Sequence, residues 1–222
     1  TGMFYRVFHV DAARKFFSAD DIKELIDIAA EGGYNQFELY LADNQGYRLA
    51  LEDMTLTTAY GTYDLSPSLG AGYDHSPHYT DGKNLWLTQA EMDSIIEYAE
   101  SKGIGIVPCI NAPGHMGAIL ESFPQFWYTS TSVAGKTSHS ALDVRNAEAY
   151  AFGQALIEKY ATYFASKGIK YLNIGADEYG ADLLEDGNGT NNGMDLLYNE
   201  GGYTYFVDFV NEAAQTIKEL GM

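Results

Sequence analysis

Apolar and polar residues recur along the chain in a pattern that predicts four strand–loop–helix units. Each unit has an apolar strand, a loop, and a helix whose apolar residues repeat every three or four positions. The predicted strands cover residues 3–11, 35–43, 105–111 and 169–177. The predicted helices begin after Ser18, after Thr88, near Asn146 and near Tyr203. Ser18 with Asp21, and Thr88 with Glu91, have the spacing of a capping box, which marks a helix start.

Apolar strands joined by helices predict an α/β fold whose parallel sheet is covered on its faces. A doubly wound sheet and a (β/α)8 barrel both fit, but no G-x-G-x-x-G motif follows any strand. The links from strand to helix are long, about 45 residues after the second strand, more than 30 after the third and about 25 after the fourth. Long loops confined to the carboxyl ends of strands are typical of a barrel enzyme. We therefore predict that residues 1–222 form the first half of a (β/α)8 TIM barrel, about four β/α units. The remaining half is expected downstream, and pairing of two copies is the alternative.

Charge and composition exclude several classes of function. A formal net charge of −18 argues against nucleic acid as a partner, because phosphates require Lys and Arg. No apolar run approaches the roughly 20 residues of a membrane-spanning helix, so no membrane span is expected in this chain. The single Cys109 cannot form an intrachain disulfide, and its place in an apolar strand favours a packed core thiol. No cofactor motif is present, so no cofactor is expected.

Polar residues gather where the predicted strands end, and we expect them to reach the same face. These residues are Arg6, Asp11, Asp43, Asn44, Asn111, His115, Asp177 and Glu178. Each has a structural explanation by itself: Asp177 or Glu178 could accept helix N–H groups, and His115 could be a loop histidine bonded to backbone. Together they suggest a site at the carboxyl face of a barrel, where Asp177 and Glu178 should point different ways because strand side chains alternate. Their spacing matches no standard metal site, so no metal is expected.

Four motifs carry a resemblance to a known family. They are "RVFHVDAARKFFS", "FELYLADNQGYRLALEDM", "NAPGHM" and "IGADEYG". In this order they resemble the family 20 glycoside hydrolases, the β-N-acetylhexosaminidases, over essentially the whole chain. The details are most similar to cell-surface exo-N-acetylglucosaminidases of Gram-positive bacteria and to lacto-N-biosidases. Val7 stands where the family usually has glycine after its first Arg.

The resemblance implies a role for each candidate residue. Glu178 corresponds to the general acid/base, and Asp177 to the residue that holds the substrate's 2-acetamido group. That group is then the nucleophile and forms an oxazoline. Asp43 and His115 resemble partners in a charge chain to Glu178, and Arg6 resembles a clamp on distal sugar hydroxyls. The other expected substrate contacts are Asn111 and Trp86.

The expected activity is that of a retaining exo-glycosidase, which hydrolyses terminal β-linked N-acetylhexosamine (GlcNAc) from glycans by substrate-assisted catalysis. A lacto-N-biosidase that releases a disaccharide, and a catalytically incomplete glycan-binding module, are the alternatives. The long loop 44–87 could shape or close the outer pocket, or it could be a solvated insertion with aromatic residues packed beneath it. Its aromatic and histidine residues include Tyr60, Tyr63, Tyr73, His75, His78, Tyr79 and Trp86. The resemblance also implies a secreted or cell-surface location.

Overall fold

Three parallel strands form the central sheet of the computed structural model, which describes residues 2–70, 85–183 and 193–222. The strands of the described residues are β1 (Val7–Asp11), β2 (Gln36–Ala42), β3 (Thr55–Thr58), β4 (Gly61–Asp64), β5 (Gly105–Ile110), β6 (Trp127–Thr129) and β7 (Thr137–Leu142). The order in the central sheet is β1-β2-β5, in which Val7 lies beside Gln36, and Gln36 lies beside Gly105. The first three predicted strands are therefore present, and the first is shorter than predicted.

Helices follow the strands as the sequence predicts. The α-helices of the described residues are α1 (Ala19–Glu31), α2 (Gln89–Ser101), α3 (Gly117–Leu120), α4 (Ala147–Ser166), α5 (Tyr179–Asp182), α6 (Gly193–Asn199) and α7 (Gly202–Glu219). Both capping boxes form, with Ser18 and Asp21 at the start of α1 and Thr88 and Glu91 at the start of α2. No helix among the described residues is both long and apolar enough to cross a membrane.

The predicted fourth strand, residues 169–177, is wrong as a regular strand. Its segment runs parallel to β5 but forms only an isolated bridge, between Asn173 and Cys109. One further backbone hydrogen bond connects it to the loop after β5: the N–H of Ala112 donates to the carbonyl oxygen of Ile174 at 2.9 Å. Beyond Ile174 the backbone leaves the extended region, so ladder pairing stops there.

Helices cover only one face of the central sheet in the described residues. Phe37, Leu39 and Leu41 of β2 are buried in a core that includes Ile22 and Ile26 of α1. The opposite face stays partly open and carries Val7, His9, Gln36, Glu38 and Val107. A groove of about 450 Å³ lies on this face. The expectation of a sheet covered on both faces is therefore not met among the described residues: one set of alternating side chains packs on the core, and the other set stays partly exposed.

The long strand-to-helix links contain structure of their own. Two antiparallel hairpins, β3–β4 and β6–β7, lie within the links that follow β2 and β5. The β6–β7 hairpin contacts α5, where Ser138 Oγ donates to the carbonyl of Asp182 at 2.5 Å. The β6–β7 hairpin thus supports the segment that contains α5.

Cys109 of β5 is buried, and burial raises the pKa of its thiol, as expected for a packed core cysteine.

Candidate active site

The loop after β5 packs against the segment that carries the acidic pair. His115 has a left-handed backbone with φ of 50°, and its N–H donates to the Asp182 carboxylate. Gly114 makes this close approach feasible, because a Cβ there would lie 3.1 Å from the carbonyl oxygen of Asp177 and 3.1 Å from Asp182 Oδ2. The loop and the acidic segment therefore form one packed unit.

The two neighbouring carboxylates meet one histidine nitrogen. Glu178 Oε2 lies 3.1 Å from His115 Nε2, and Asp177 Oδ2 lies 3.7 Å from the same atom. The expectation that the pair points in different directions is wrong. Ala176 and Glu178 have left-handed backbones with φ of 59° and 51°, so the alternation of a strand no longer holds.

The other side of the His115 ring has two polar neighbours. Asn44 Nδ2 lies 3.2 Å from Nδ1, and Asp182 Oδ2 lies 3.4 Å from Nδ1. Asn44 Oδ1 accepts the N–H of Gly117 at 3.0 Å, which turns the amide nitrogen of Asn44 toward the ring. Asp182 is a site residue that the sequence motifs do not single out. Its spacing of four residues from Glu178 was the available signal, because one helical turn brings such residues together.

Asp43 is not the partner of His115 that the resemblance implied. Its Oδ1 accepts the N–H groups of Gln45 at 2.6 Å and Gly46 at 3.2 Å, as in a turn. Its Oδ2 lies 3.1 Å from Arg14 Nε, outside hydrogen-bonding geometry. Burial raises the pKa of Asp43 although the backbone donors and Arg14 oppose the shift. The next residue in the sequence, Asn44, contacts the His115 ring instead.

Arg6 lies away from the acidic pair. It precedes β1, so it lies at the amino end of the sheet, whereas Glu178 follows the carboxyl ends. Its guanidinium donates to the carbonyl oxygens of Gly33 at 2.5 Å and Met3 at 2.9 Å. The expectation that Arg6 reaches the same face as the carboxylates is therefore wrong in this structure.

The described contacts of Asn111 and Trp86 are with residues other than His115, Asp177 and Glu178. Asn111 is buried and donates from Nδ2 to the Tyr40 hydroxyl, while its Oδ1 lies against Gly175. Trp86 packs over Gly70, where a Cβ would lie 3.1 Å from the ring. No described contact joins Trp86 to the acidic pair. Of the aromatic residues expected to shape the outer pocket, Tyr73, His75, His78 and Tyr79 lie outside the described residues.

The cluster of His115, Asp177 and Glu178 is compact enough to suit a cation as well as a proton. Their ligand atoms all lie within 4.8 Å of one another. Exposed carboxylates are often this close without a metal, and the set contains two of them. We therefore assign no metal to it and treat it as an acid/base cluster, in which an imidazole and a carboxylate share a proton.

Comparison with known proteins agrees with the sequence motifs. Residues 4–222 match the sequence model of glycosyl hydrolase family 20, catalytic domain. A β-hexosaminidase of Vibrio furnissii is 28% identical over 184 residues, which cover 78% of this chain and 28% of that protein. A lacto-N-biosidase of Bifidobacterium bifidum is 35% identical over 94 residues, 42% of this chain and 8% of that protein.

Solved structures of the pneumococcal protein StrH are similar along almost the whole chain. One of them is 35% identical with a TM-score of 0.82, and the match covers 98% of this chain and 52% of that chain. The chain thus spans about half of that structure and less of the curated relatives. The mixed α/β content is consistent with a TIM-barrel-type fold. Since the family model covers nearly every residue, the chain belongs to glycosyl hydrolase family 20.

Proposed function

We propose that this chain carries the acid/base residues of a β-N-acetylhexosaminidase, a retaining exo-glycosidase that hydrolyses terminal β-linked N-acetylglucosamine. The observation that carries the proposal is the contact of Glu178 and Asp177 with the same nitrogen of His115. A similar pneumococcal protein is described as an exo-β-D-N-acetylglucosaminidase, which supports the choice of sugar.

The position of the two carboxylates favours a nucleophile supplied by the substrate. In double displacement, the two carboxyl groups flank the glycosidic bond at about 5–5.5 Å, one as acid and one as nucleophile. Here both approach one imidazole nitrogen, at 3.1 and 3.7 Å, and so lie on the same side of any sugar bound there. One of them can protonate the leaving group, but the other is poorly placed to attack from the opposite face. The 2-acetamido oxygen of the substrate can make that attack.

The reaction then follows in two steps. Protonated Glu178 donates its proton to the glycosidic oxygen while the bond from that oxygen to C1 breaks. The acetamido carbonyl oxygen bonds to C1 and forms an oxazolinium, whose N–H is held by the Asp177 carboxylate. Glu178, now a carboxylate, takes a proton from water. The water oxygen bonds to C1 as the bond between C1 and the acetamido oxygen breaks and the oxazolinium ring opens. The product keeps its anomeric configuration because C1 is inverted twice.

The exposure of the two carboxylates favours the interpretation that a larger barrel surrounds the site. The side chains of Asp177 and Glu178 are 61% and 67% exposed, whereas a general acid needs burial to keep its proton near neutral pH. One face of the central sheet is also open. We propose that the described units are half of a (β/α)8 barrel, and that the other half covers this face and completes the sugar pocket.

Two alternatives are outcomes of the experiment below. One is a lacto-N-biosidase that releases a disaccharide, the name carried by one relative, and the other is a glycan-binding module without catalysis. In each case the partner is a glycan. We extend the proposal to a secreted or cell-surface location, which fractionation of the producing cells would test.

The decisive experiment is Glu178→Gln in the full-length protein, assayed with p-nitrophenyl β-N-acetylglucosaminide. We expect kcat to fall by about 100-fold or more, the contribution typical of a general acid/base, while glycan affinity is kept. Glu121→Gln, at an exposed position, is the matched control. Unchanged turnover in Glu178→Gln would remove Glu178 from the mechanism, and glycan binding without turnover in the wild type would favour the binding module. Release of a disaccharide from lacto-N-tetraose would favour the lacto-N-biosidase.

A further inference from the structure

We propose that Asp182 is a positioning residue for His115 and acts through it on Glu178. Asp182 orients the imidazole and supports its charged form, while Asn44 supports its neutral form. This inference rests on the proposed function, because it assumes that Glu178 exchanges a proton during turnover.

Asp182 holds the backbone of His115 as well as its ring. The His115 N–H donates to Asp182 Oδ2, and the same oxygen lies 3.4 Å from Nδ1 of the ring. Asp182 is buried, with a side chain only 9% exposed, in contrast to the exposed Asp177 and Glu178. Its buried place suits a supporting role, since a substrate approaches from the open side.

The main chain around Asp182 is held from two directions. Its own N–H donates to the carbonyl of Glu178 at 2.9 Å, and its carbonyl accepts from Ser138 Oγ at 2.5 Å. One turn of α5 therefore links the supporting carboxylate to the residue that carries the proton. His115 has a left-handed φ of 50°, a conformation that costs energy for a residue with a Cβ. The bond to Asp182 helps to hold this conformation.

The two neighbours of Nδ1 suit two protonation states of the ring. Asn44 directs an N–H donor to Nδ1, which requires an unprotonated Nδ1 and leaves the proton on Nε2, facing Glu178. When the ring is fully protonated, Nδ1–H can donate to Asp182 Oδ2 instead. Among the described residues, the charged groups in contact with the ring are Asp177, Glu178 and Asp182.

Both states present Nε2–H to Glu178, which is what an acid/base cycle needs. When Glu178 has given its proton to the leaving group, its anion accepts the Nε2–H bond, and Asp182 stabilises positive charge on the ring. Without the Asp182 carboxylate the ring would lose this support and could turn in the loop. The effect should appear in kcat more than in KM, since Asp182 is buried behind His115.

The test compares Asp182→Asn with the double variant Asn44→Asp/Asp182→Asn in the full-length protein. We expect Asp182→Asn to lower kcat by about 10- to 100-fold, by analogy with the loss seen when the hydrogen-bond partner of a metal-bound imidazole is removed, with KM changed less than threefold. In the double variant Asn44→Asp/Asp182→Asn, a carboxylate again lies beside Nδ1 and should recover at least half of the loss on a logarithmic scale. Asp195→Asn, at an exposed aspartate of α6, is the matched control.

The outcomes separate this inference from the proposed function. If Glu178→Gln loses activity while Asp182→Asn keeps it, Asp182 has no positioning role and the proposed function stands. If Asp182→Asn loses activity and the double variant recovers nothing, the role of Asp182 is only structural and the inference fails. If the wild type hydrolyses no glycoside, the proposed function fails.

A measurement on the unmodified protein covers the case in which Asp182→Asn does not fold. The ring ¹⁵N shifts of His115, assigned with His115→Gln, report which nitrogen carries the proton. We expect Nε2–H in the neutral ring, because Asn44 faces Nδ1 as a donor. A neutral ring protonated at Nδ1 would overturn the inference whether or not the protein is active.

Discussion

Glu200, in the two-residue link between α6 and α7, is expected to stabilise the folded chain at neutral pH. Its side chain is only 1% exposed and accepts hydrogen bonds from Ser130 Oγ and Ser132 Oγ at 2.5 Å and from Arg145 Nη1 at 2.9 Å. Burial by itself would raise the pKa of Glu200, but the hydrogen bonds from Ser130, Ser132 and Tyr128 outweigh it and lower the pKa to about 2. This carboxylate fastens α6 and α7 to the β6–β7 hairpin, which in turn contacts α5.

The size of the effect follows from linkage. A fall in pKa from 4.5 to about 2 corresponds to about 3 kcal/mol of stability, at about 1.4 kcal/mol for each pH unit. Because the pKa of Glu200 is lower in the folded state, this stability is complete above pH 4.5 and is lost as the pH falls toward 2. Glu200→Gln removes the charge and places an amide among donors, so it should lose about this amount at pH 7.

The measurement is urea unfolding of the wild type and Glu200→Gln at a series of pH values from 7 to 3. The difference in the free energy of unfolding should be about 3 kcal/mol at pH 7 and should shrink steadily below pH 4.5. Glu97→Gln, at an exposed site of α2, is the control and should change little. A difference that stays constant between pH 7 and pH 3 would refute the reasoning, because the loss would then not come from the ionised carboxylate.

Two other predictions concern the site and the barrel. Gly175→Ala should lower kcat by about tenfold or more, because a Cβ there would lie 1.6 Å from Asn111 Oδ1 and displace Asp177. Gly168 has a similar positive φ but open space around it, so the control Gly168→Ala should keep its activity. Equal effects of the two substitutions would show that only backbone strain matters. The 222-residue chain should hydrolyse p-nitrophenyl β-N-acetylglucosaminide far more slowly than a longer chain that completes the barrel. Rapid turnover by the shorter chain would contradict the incomplete pocket.

Local interactions made much of the helical structure predictable. The capping boxes of Ser18 and Thr88 and the apolar spacing of α1 and α2 each depend on residues within a few positions, so the pattern alone located these helix starts. The motif "GADE" likewise singled out Asp177 and Glu178, because two adjacent carboxylates after an apolar run are visible without any fold. The sequence by itself thus determined the unit order, the family resemblance and the acidic pair.

The tertiary structure decided how those residues face one another. Left-handed backbones at Ala176 and Glu178 turn both carboxylates to His115, and strand alternation would have separated them. The partners of the other ring nitrogen, Asn44 and Asp182, are distant from His115 in sequence, so no local pattern pairs them with it. Arg6 and the open sheet face differ from the sequence-based expectation for a related reason. The direction of a side chain depends on which end of a strand it occupies and on what packs against it, and both are set by contacts between distant segments.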